Sequence, residues 1–276
     1  MAEQRPEIAN SVQTGNFKTN YHDLGAGEPV FFIHGSGPGV TAWANWHRLF
    51  PLLKDDFRLI APDMSGFGYT ERVPGKKNNM IGWVKQVIDL MDALKIDKTN
   101  LVGNSFGGAL AISLAVRHPD RFKKLVLMGS MGVSFPITYG LDAVWGYQPS
   151  IEAMEEMLEL FTYDHSFATE ALVKTRYEAS MQPGFQESFS SLFPEPRQKG
   201  VEGMAADQHY IRDIPHETLI IHGREDRVIP LENAYKLIQL IKNAELHVFG
   251  KCGHWTQIEH TQSFAQLINN FFKRQA

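Results

Sequence analysis

The chain has 276 residues, 43% hydrophobic and 21% charged, enough for one large domain or a core domain with an insertion. Its 27 basic and 31 acidic residues leave a net charge of −4, which argues against the basic stripe of a nucleic-acid binder. No apolar run nears the ~20 residues needed to cross a bilayer, the first residues show no apolar leader core, and the single cysteine, Cys252, excludes an intrachain disulfide. These features point to a cytoplasmic protein with neither a membrane nor a nucleic-acid partner.

In chain order, Val30-Phe31-Phe32-Ile33 is an uninterrupted apolar run, as expected of a parallel strand buried on both faces. Residues 41–53 read as one helix, and Phe57-Arg58-Leu59-Ile60-Ala61 as the next strand. Val84, Val87, Ile88, Met91 and Leu94 recur at helical spacing and give a buried face. Leu101-Val102, Leu125-Val126-Leu127-Met128, Leu219-Ile220-Ile221 and Leu246-His247-Val248-Phe249 are further short strands, and the last helix carries Phe264, Leu267, Ile268 and Phe271. Such alternation implies an α/β fold built on a doubly wound, mostly parallel sheet. It breaks between about 133 and 212, where apolar residues keep helical spacing (Met154, Met157, Leu158, Phe161, then Phe167, Leu172, Tyr177) and no strand is evident. This stretch is too long for an ordinary crossover. The reading is therefore a core of residues 1–134 and 212–276 with a helical cap, 135–211, inserted between two strands and roofing their carboxyl ends.

Three chemical groups leave those carboxyl ends. Gly103-Asn104-Ser105-Phe106-Gly107 is a G-x-S-x-G turn between a strand and a helix, which presents a serine on a strained backbone. The pattern alone arises easily by chance. Strand 219–221 runs into His222-Gly223-Arg224-Glu225-Asp226, and strand 246–249 into Gly250-Lys251-Cys252-Gly253-His254-Trp255. Serine, acid and histidine thus follow in the order of a nucleophile, its orienter and its base: Ser105, Asp226, His254. Glu225 and Asp63 are the rival carboxylates. The Phe106 N–H and the Ser36 N–H, the latter on the loop His34-Gly35-Ser36-Gly37-Pro38-Gly39, would form an oxyanion hole. That loop imitates a dinucleotide fingerprint, but Val40 replaces the third glycine, which excludes close helix packing on a cofactor.

Taken together the motifs resemble the meta-cleavage product hydrolases, carbon–carbon bond hydrolases of the α/β-hydrolase superfamily. The resemblance rests on H-G-S-G-P-G at 34–39, A-P-D-M at 61–64, G-F-G at 66–68, G-N-S-F-G-G at 103–108, H-G-R-E-D at 222–226 and C-G-H-W at 252–255. In the cap it rests on A-V-W-G-Y at 143–147, R-Y-E-A at 176–179 and P-G-F-Q-E-S-F at 183–189. It runs from about Asn20 to Phe272, nearly the whole chain. It implies cleavage of the C5–C6 bond of 2-hydroxy-6-oxohexa-2,4-dienoates, unsubstituted or substituted at C6, with no metal or organic cofactor and as a homodimer or higher homo-oligomer. Ser105, Asp226 and His254 would be catalytic. Gly35, Asn45, Asn104 and Trp255 would contact the dienoate, and Arg176, by itself readable as a surface arginine, would hold its carboxylate. Arg197 receives no role. The competing readings are a carboxylesterase or lactonase with the same triad, and a small-molecule receptor on a hydrolase scaffold. Turnover separates the receptor from the enzymes.

Overall fold

The computed structural model describes residues 5–274; the ends of the expected core domain, 1–4 and 275–276, lie outside them, as does most of the leader region read above. Eight strands, β1 (Asn10–Thr14), β2 (Phe17–Leu24), β3 (Glu28–Ile33), β4 (Phe57–Pro62), β5 (Thr99–Asn104), β6 (Phe122–Met128), β7 (Glu217–Gly223) and β8 (Ala244–Phe249), form one sheet in the order β1-β2-β4-β3-β5-β6-β7-β8. From β4 to β8 every neighbouring pair is parallel. The apolar runs sort their side chains by alternation. Phe31, Ile33, Leu101, Leu127 and Ile220 face one apolar cluster, whereas Val30, Phe32, Val102, Val126, Leu219 and Ile221 face the other. Both faces are covered, which is why these strands carry no polar alternation.

Three local features depart from the sequence reading. The strands β1 and β2, which pair antiparallel at one edge, were not expected. β2 buries Thr19, Asn20 and His22 rather than an apolar run, so its pattern gives no strand signal. Residues 41–53 form two short helices, Ala42–Trp46 and Phe50–Leu53, instead of one. Pro51 lacks an N–H and crowds the carbonyl one turn earlier, so a helix can begin beside it but not run through it. The face of helix Met80–Ala93 includes Trp83 and Leu90 as buried residues, while Ile88 and Leu94 are only partly buried.

Between β6 and β7 the chain is helical: Tyr139–Trp145, Ile151–Phe161, Glu170–Ser180, Phe185–Leu192, Gln198–Met204 and Gln208–Arg212. Ser or Thr caps the first three (Thr138, Ser150, Thr169), each accepting a backbone N–H three residues on. Met154, Met157, Leu158, Phe161, Phe189 and Phe193 join the same apolar cluster as the Phe31 face of the sheet. Burial of each such side chain is worth roughly 1.5–3 kcal/mol, so the helical insertion is held to the sheet layer by packing.

Candidate active site

The strand order reverses at β3 and β5: β4 lies on one side of β3, β5 on the other. Ligands bind outside the carboxyl ends of strands at such a reversal. Here the loops leaving β3 and β5 carry Gly35–Ser36 and Ser105.

Ser105 has φ 54° and ψ −111°, a left-handed conformation that an L-residue adopts only under strain. The turn is crowded from both sides. A β-carbon at Gly103 would collide with the Gly107 carbonyl, and one at Gly107 with that of Ile33. The Ser105 N–H donates to the Met128 carbonyl at the end of β6 (2.8 Å), and its own carbonyl accepts from Gly108 (3.0 Å) and Met131 (3.1 Å). Strain is thus held by backbone bonds on three sides.

Asp226 and His254 meet beside the same strand end. His254 Nδ1 lies 2.7 Å from Asp226 Oδ2. Asp226 Oδ1 accepts the N–H groups of Val228 (2.8 Å) and Ile229 (2.9 Å). Burial pushes the Asp226 carboxyl up, but His254, His222 and the Ile229 N–H outweigh it and hold it below the usual carboxylate range. A carboxylate on Nδ1 fixes the proton there and leaves Nε2 with its lone pair, the form a general base requires. His222 supports the carboxylate, its Nε2 lying 2.9 Å from the Ile229 carbonyl and 3.4 Å from Asp226 Oδ2. Burial holds His222 below the ordinary histidine value, so it stays neutral. The His222 contact was not anticipated, although the residue ends β7 four positions before the acid. Among the described residues no hydrogen bond joins Ser105 Oγ to His254. The two nonetheless share a strand end: a β-carbon on Gly129, next to Met128, would stand 3.1 Å from the His254 ring.

Both rival carboxylates are engaged elsewhere. Asp63 is buried and accepts from Ala42 N (2.6 Å), Tyr69 N (2.8 Å) and Asn20 Nδ2 (2.8 Å). Glu225 accepts from Cys252 N (3.0 Å) and pairs with Arg224.

On the β3 side, His34 fastens the loop. The Met64 N–H donates to His34 Nε2 (3.0 Å), so Nδ1 carries the proton and donates to the Gly35 carbonyl (2.7 Å). Burial lowers His34 to about 4, which keeps this tautomer at neutral pH. Gly35 gives its N–H to Asn45 Oδ1 (3.3 Å), and a β-carbon there would sit 2.6 Å from Asn104 Oδ1 and 3.5 Å from the Ser105 β-carbon. Ser36 carries the N–H expected of the first oxyanion donor. Among the described residues neither this N–H nor that of Phe106, first in helix Phe106–Arg117, finds an acceptor. The Ser36 hydroxyl accepts from Trp145 Nε1 (2.9 Å), and the Trp145 ring stacks on Phe193 at 4.3 Å and 5°. Trp145 was expected only as a family motif; its hydrogen bond to the loop after β3 is a structural finding.

A cavity opens beside these groups. Gly35, Ser36, Asn45, Asn104, Arg176, His254 and Trp255 line it, with Val40, Met157, Phe161, Leu172 and Ile258 as its apolar wall. Ser105 and Phe106 are not among the lining residues: Ser105 is 3% exposed and Phe106 fully buried, and Ser105 adjoins the cavity through Gly35. Among the described residues Arg176, from helix Glu170–Ser180, bonds only to the Pro38 carbonyl (3.2 Å) through Nη2, and its buried Nε has no partner. Among the described residues no carboxylate lies within ion-pair distance of it. Desolvation lowers it to about 10, so it remains a cation at neutral pH. Asn45 Nδ2 is also buried and unpartnered, as is Oε1 of Gln257, a lining residue that sequence reasoning passed over. Arg48 and His47 likewise line the cavity unforeseen. Arg197 is not brought there; it pairs with Asp142 (3.2 Å) and Glu195 (3.1 Å) within the helical insertion.

A family description, alpha/beta hydrolase fold, matches residues 28–261. The chain is 54% identical over 266 residues to a 2-hydroxymuconate semialdehyde hydrolase of Pseudomonas sp. (strain CF600), covering 96% of this chain and 94% of the relative. The chain belongs to the meta-cleavage product hydrolases of the α/β-hydrolase fold. A second member of that family, the 2-hydroxy-6-oxo-2,4-heptadienoate hydrolase of Pseudomonas putida (strain F1), is 53% identical over 271 residues and 98% of both chains. The structure is similar to that of the meta-cleavage product hydrolase CumD of Pseudomonas fluorescens IP01, in a serine-to-alanine mutant complexed with acetates. The TM-score is 0.96 and the identity 53%, over 97% of this chain and 98% of that one. Among the described residues no helix is long and apolar enough to cross a membrane, and no cluster of His, Cys, Asp or Glu is placed to hold a metal ion.

Proposed function

We propose that this chain hydrolyses the C5–C6 bond of 2-hydroxy-6-oxohexa-2,4-dienoates, 2-hydroxymuconic semialdehyde and its 6-alkyl analogues among them. The products are 2-hydroxypenta-2,4-dienoate and a small carboxylate. The observation that carries this reading is the pairing, across one cavity, of an Asp226–His254 base with a cation, Arg176, that no carboxylate among the described residues pairs with directly, Glu7 acting on it only from beyond ion-pair distance. An esterase needs the first and has no use for the second; a substrate with a fixed carboxylate needs both.

The chemistry asks for a carbanion sink. Cleaving C5–C6 leaves an electron pair on C5, and a dienol cannot hold it. Transfer of a proton to C5 with loss of the C2 hydroxyl proton gives the 2,6-dioxo tautomer, with the double bond now at C3=C4. An oxygen nucleophile then adds to C6, and the C6 oxygen takes negative charge between the Ser36 and Phe106 N–H groups. When C5–C6 breaks, its electrons move through C3=C4 onto the C2 oxygen and regenerate the dienol. In this scheme Arg176 holds the C1 carboxylate, with Asn45, Asn104, Gly35 and Trp255 along the dienoate. His254 moves the protons at C5 and at the nucleophile, which is Ser105 or a water that it serves. Met157, Phe161 and Leu172, which line the cavity, suit an apolar C6 substituent.

In this reading the helical insertion is a cap spanning 135–211 that supplies Arg176, and 1–134 with 212–276 are the hydrolase core. A homo-oligomeric cytoplasmic enzyme that takes only a small-molecule partner is the accompanying expectation; light scattering on the purified protein tests the first part. The enzymatic test is loss of dienolate absorbance on substrates bearing hydrogen, methyl or phenyl at C6, beside a phenyl ester. Fast decay on the first two supports the proposal. Turnover of the ester alone moves the protein to the esterases, and turnover of neither to the receptors.

A further inference from the structure

The helical insertion meets the loop that carries Asp226 at Thr138 and Gly140, and it meets both that loop and the His254 loop along the stretch 159–165. From the acid loop, Arg227 reaches it. Its Nη2 donates to the carbonyls of Glu159 and Thr162, the latter at 3.0 Å, and lies 2.9 Å from His165 Nε2. From the histidine loop, Glu259 reaches it. Glu259 Oε1 accepts the N–H groups of Tyr163 (2.8 Å) and Asp164 (3.1 Å), while Oε2 accepts the Gly253 N–H (2.6 Å), one residue before the base. The Trp255 N–H, one residue after the base, donates to the Phe161 carbonyl (3.1 Å). The peptides on both flanks of His254 are therefore tied to the same turn. The fit is tight, since a β-carbon on Gly253 would stand 2.7 Å from the Phe161 carbonyl oxygen. Phe161 then lays its ring along those of His254 (5.7 Å, 23°) and Trp255 (4.7 Å, 18°).

We infer that Glu259 is a positioning residue for the reaction: its carboxylate joins the cap turn 161–164 to the loop that sets the His254 imidazole. The physical ground is the acceptor count. Three backbone N–H groups from two separate segments converge on one side chain, and only a carboxylate offers two acceptor oxygens to them. An amide of the same shape has one carbonyl oxygen and places an NH2 against the remaining N–H. One segment then loses its acceptor, and the loop and the turn are no longer held in register. The base sits between the two tethered peptides, and small displacements of a reacting group are costly in rate. Glu259 does not line the cavity, so binding of substrate by Arg176 and Asn45 is left as it was.

The inference rests on the hydrolase reading for its substrate but not for its test, because a phenyl ester engages the same base. In Glu259→Gln, kcat falls about tenfold or more on both the dienoate and phenyl acetate, with KM within twofold and near-UV circular dichroism unchanged. Arg227→Gln, which loosens the turn from the acid side, gives a smaller fall. The double variant falls less than the product of the two, because both act through one turn. Wild-type kcat in Glu259→Gln overturns the inference. So does a fall in kcat that merely follows the fraction of unfolded protein, read by Arg227→Gln if Glu259→Gln does not fold. A wild-type enzyme silent on dienoates but active on the ester overturns the proposed function and leaves the role of Glu259 to be read on the ester.

Discussion

Removing the charge at Arg176 is the perturbation whose outcome separates this site from that of an ester hydrolase. The guanidinium is desolvated enough to fall well below the ordinary arginine value, to about 10, roughly 3 kcal/mol against its charged form. It has the Pro38 carbonyl as its hydrogen-bond partner, and Nε is buried without one. A substrate carboxylate restores what burial removed, through charge-assisted hydrogen bonds worth about 1.5–3 kcal/mol. Arg176→Gln should therefore lower kcat/KM for a dienoate by roughly 10- to 150-fold, using about 1.4 kcal/mol per decade. A neutral phenyl ester, which has no carboxylate to place there, should change by no more than about threefold. Arg176→Lys should fall between, since an ammonium keeps the charge and loses the planar fork. The assay is initial-rate loss of dienolate absorbance beside phenolate release from the ester, on proteins matched for thermal midpoint. Equal losses on both substrates would refute the anchoring argument, as would a dienoate kcat/KM untouched by the change.

Three other outcomes follow from the geometry. Ser105→Gly should abolish turnover and raise stability toward urea by about 1–2 kcal/mol, because the strained φ of 54° suits glycine; a lower midpoint would show that the turn stores no strain. Trp145→Phe keeps the stack on Phe193 and deletes the hydrogen bond to Ser36 Oγ, so kcat/KM should fall about five- to tenfold, near 1 kcal/mol, with no change in fold; an unchanged rate would free the oxyanion loop of that dependence. His34, held near 4 by burial, is a histidine whose folded value lies below its unfolded 6.5, so the unfolded chain binds the extra proton first. Its stabilising contribution is whole above about 6.5 and is lost as pH falls toward 4. The stability difference between the protein and His34→Gln, whose amide can make the same two bonds, should shift against the parent by up to about 3 kcal/mol over that window, and a constant difference would contradict this.

Parallel strands were legible because burial on both faces forces apolar runs, and the order of Ser105, Asp226 and His254 was legible because each follows such a run. β2 was not, because its buried Thr19 and Asn20 are satisfied by hydrogen bonds and its His22 packs against Trp43 and Phe50, neither of which any periodicity announces. The break at Pro51 was visible in the sequence as a proline inside a helical stretch and was passed over. Partnerships across long separations stayed hidden for a different reason. Trp145 with Ser36, and Glu259 with residues 163 and 164, depend on how the helical insertion lies against the sheet, and local pattern carries no information about that. Arg176 shows the limit from the other side: by residue type it is a surface cation, and only its enclosure, with no carboxylate of the described residues within ion-pair distance, gives it chemical meaning.

The central claim is hydrolysis of a carbon–carbon bond by the Ser105 site, and product stoichiometry tests it most directly. Incubation of the purified enzyme with 2-hydroxy-6-oxohepta-2,4-dienoate should yield 2-hydroxypenta-2,4-dienoate and acetate in equal amounts as the dienolate absorbance disappears, and Ser105→Ala should yield neither while still binding the substrate. Absorbance loss without acetate, or equal product from the Ser105→Ala protein, would contradict the account.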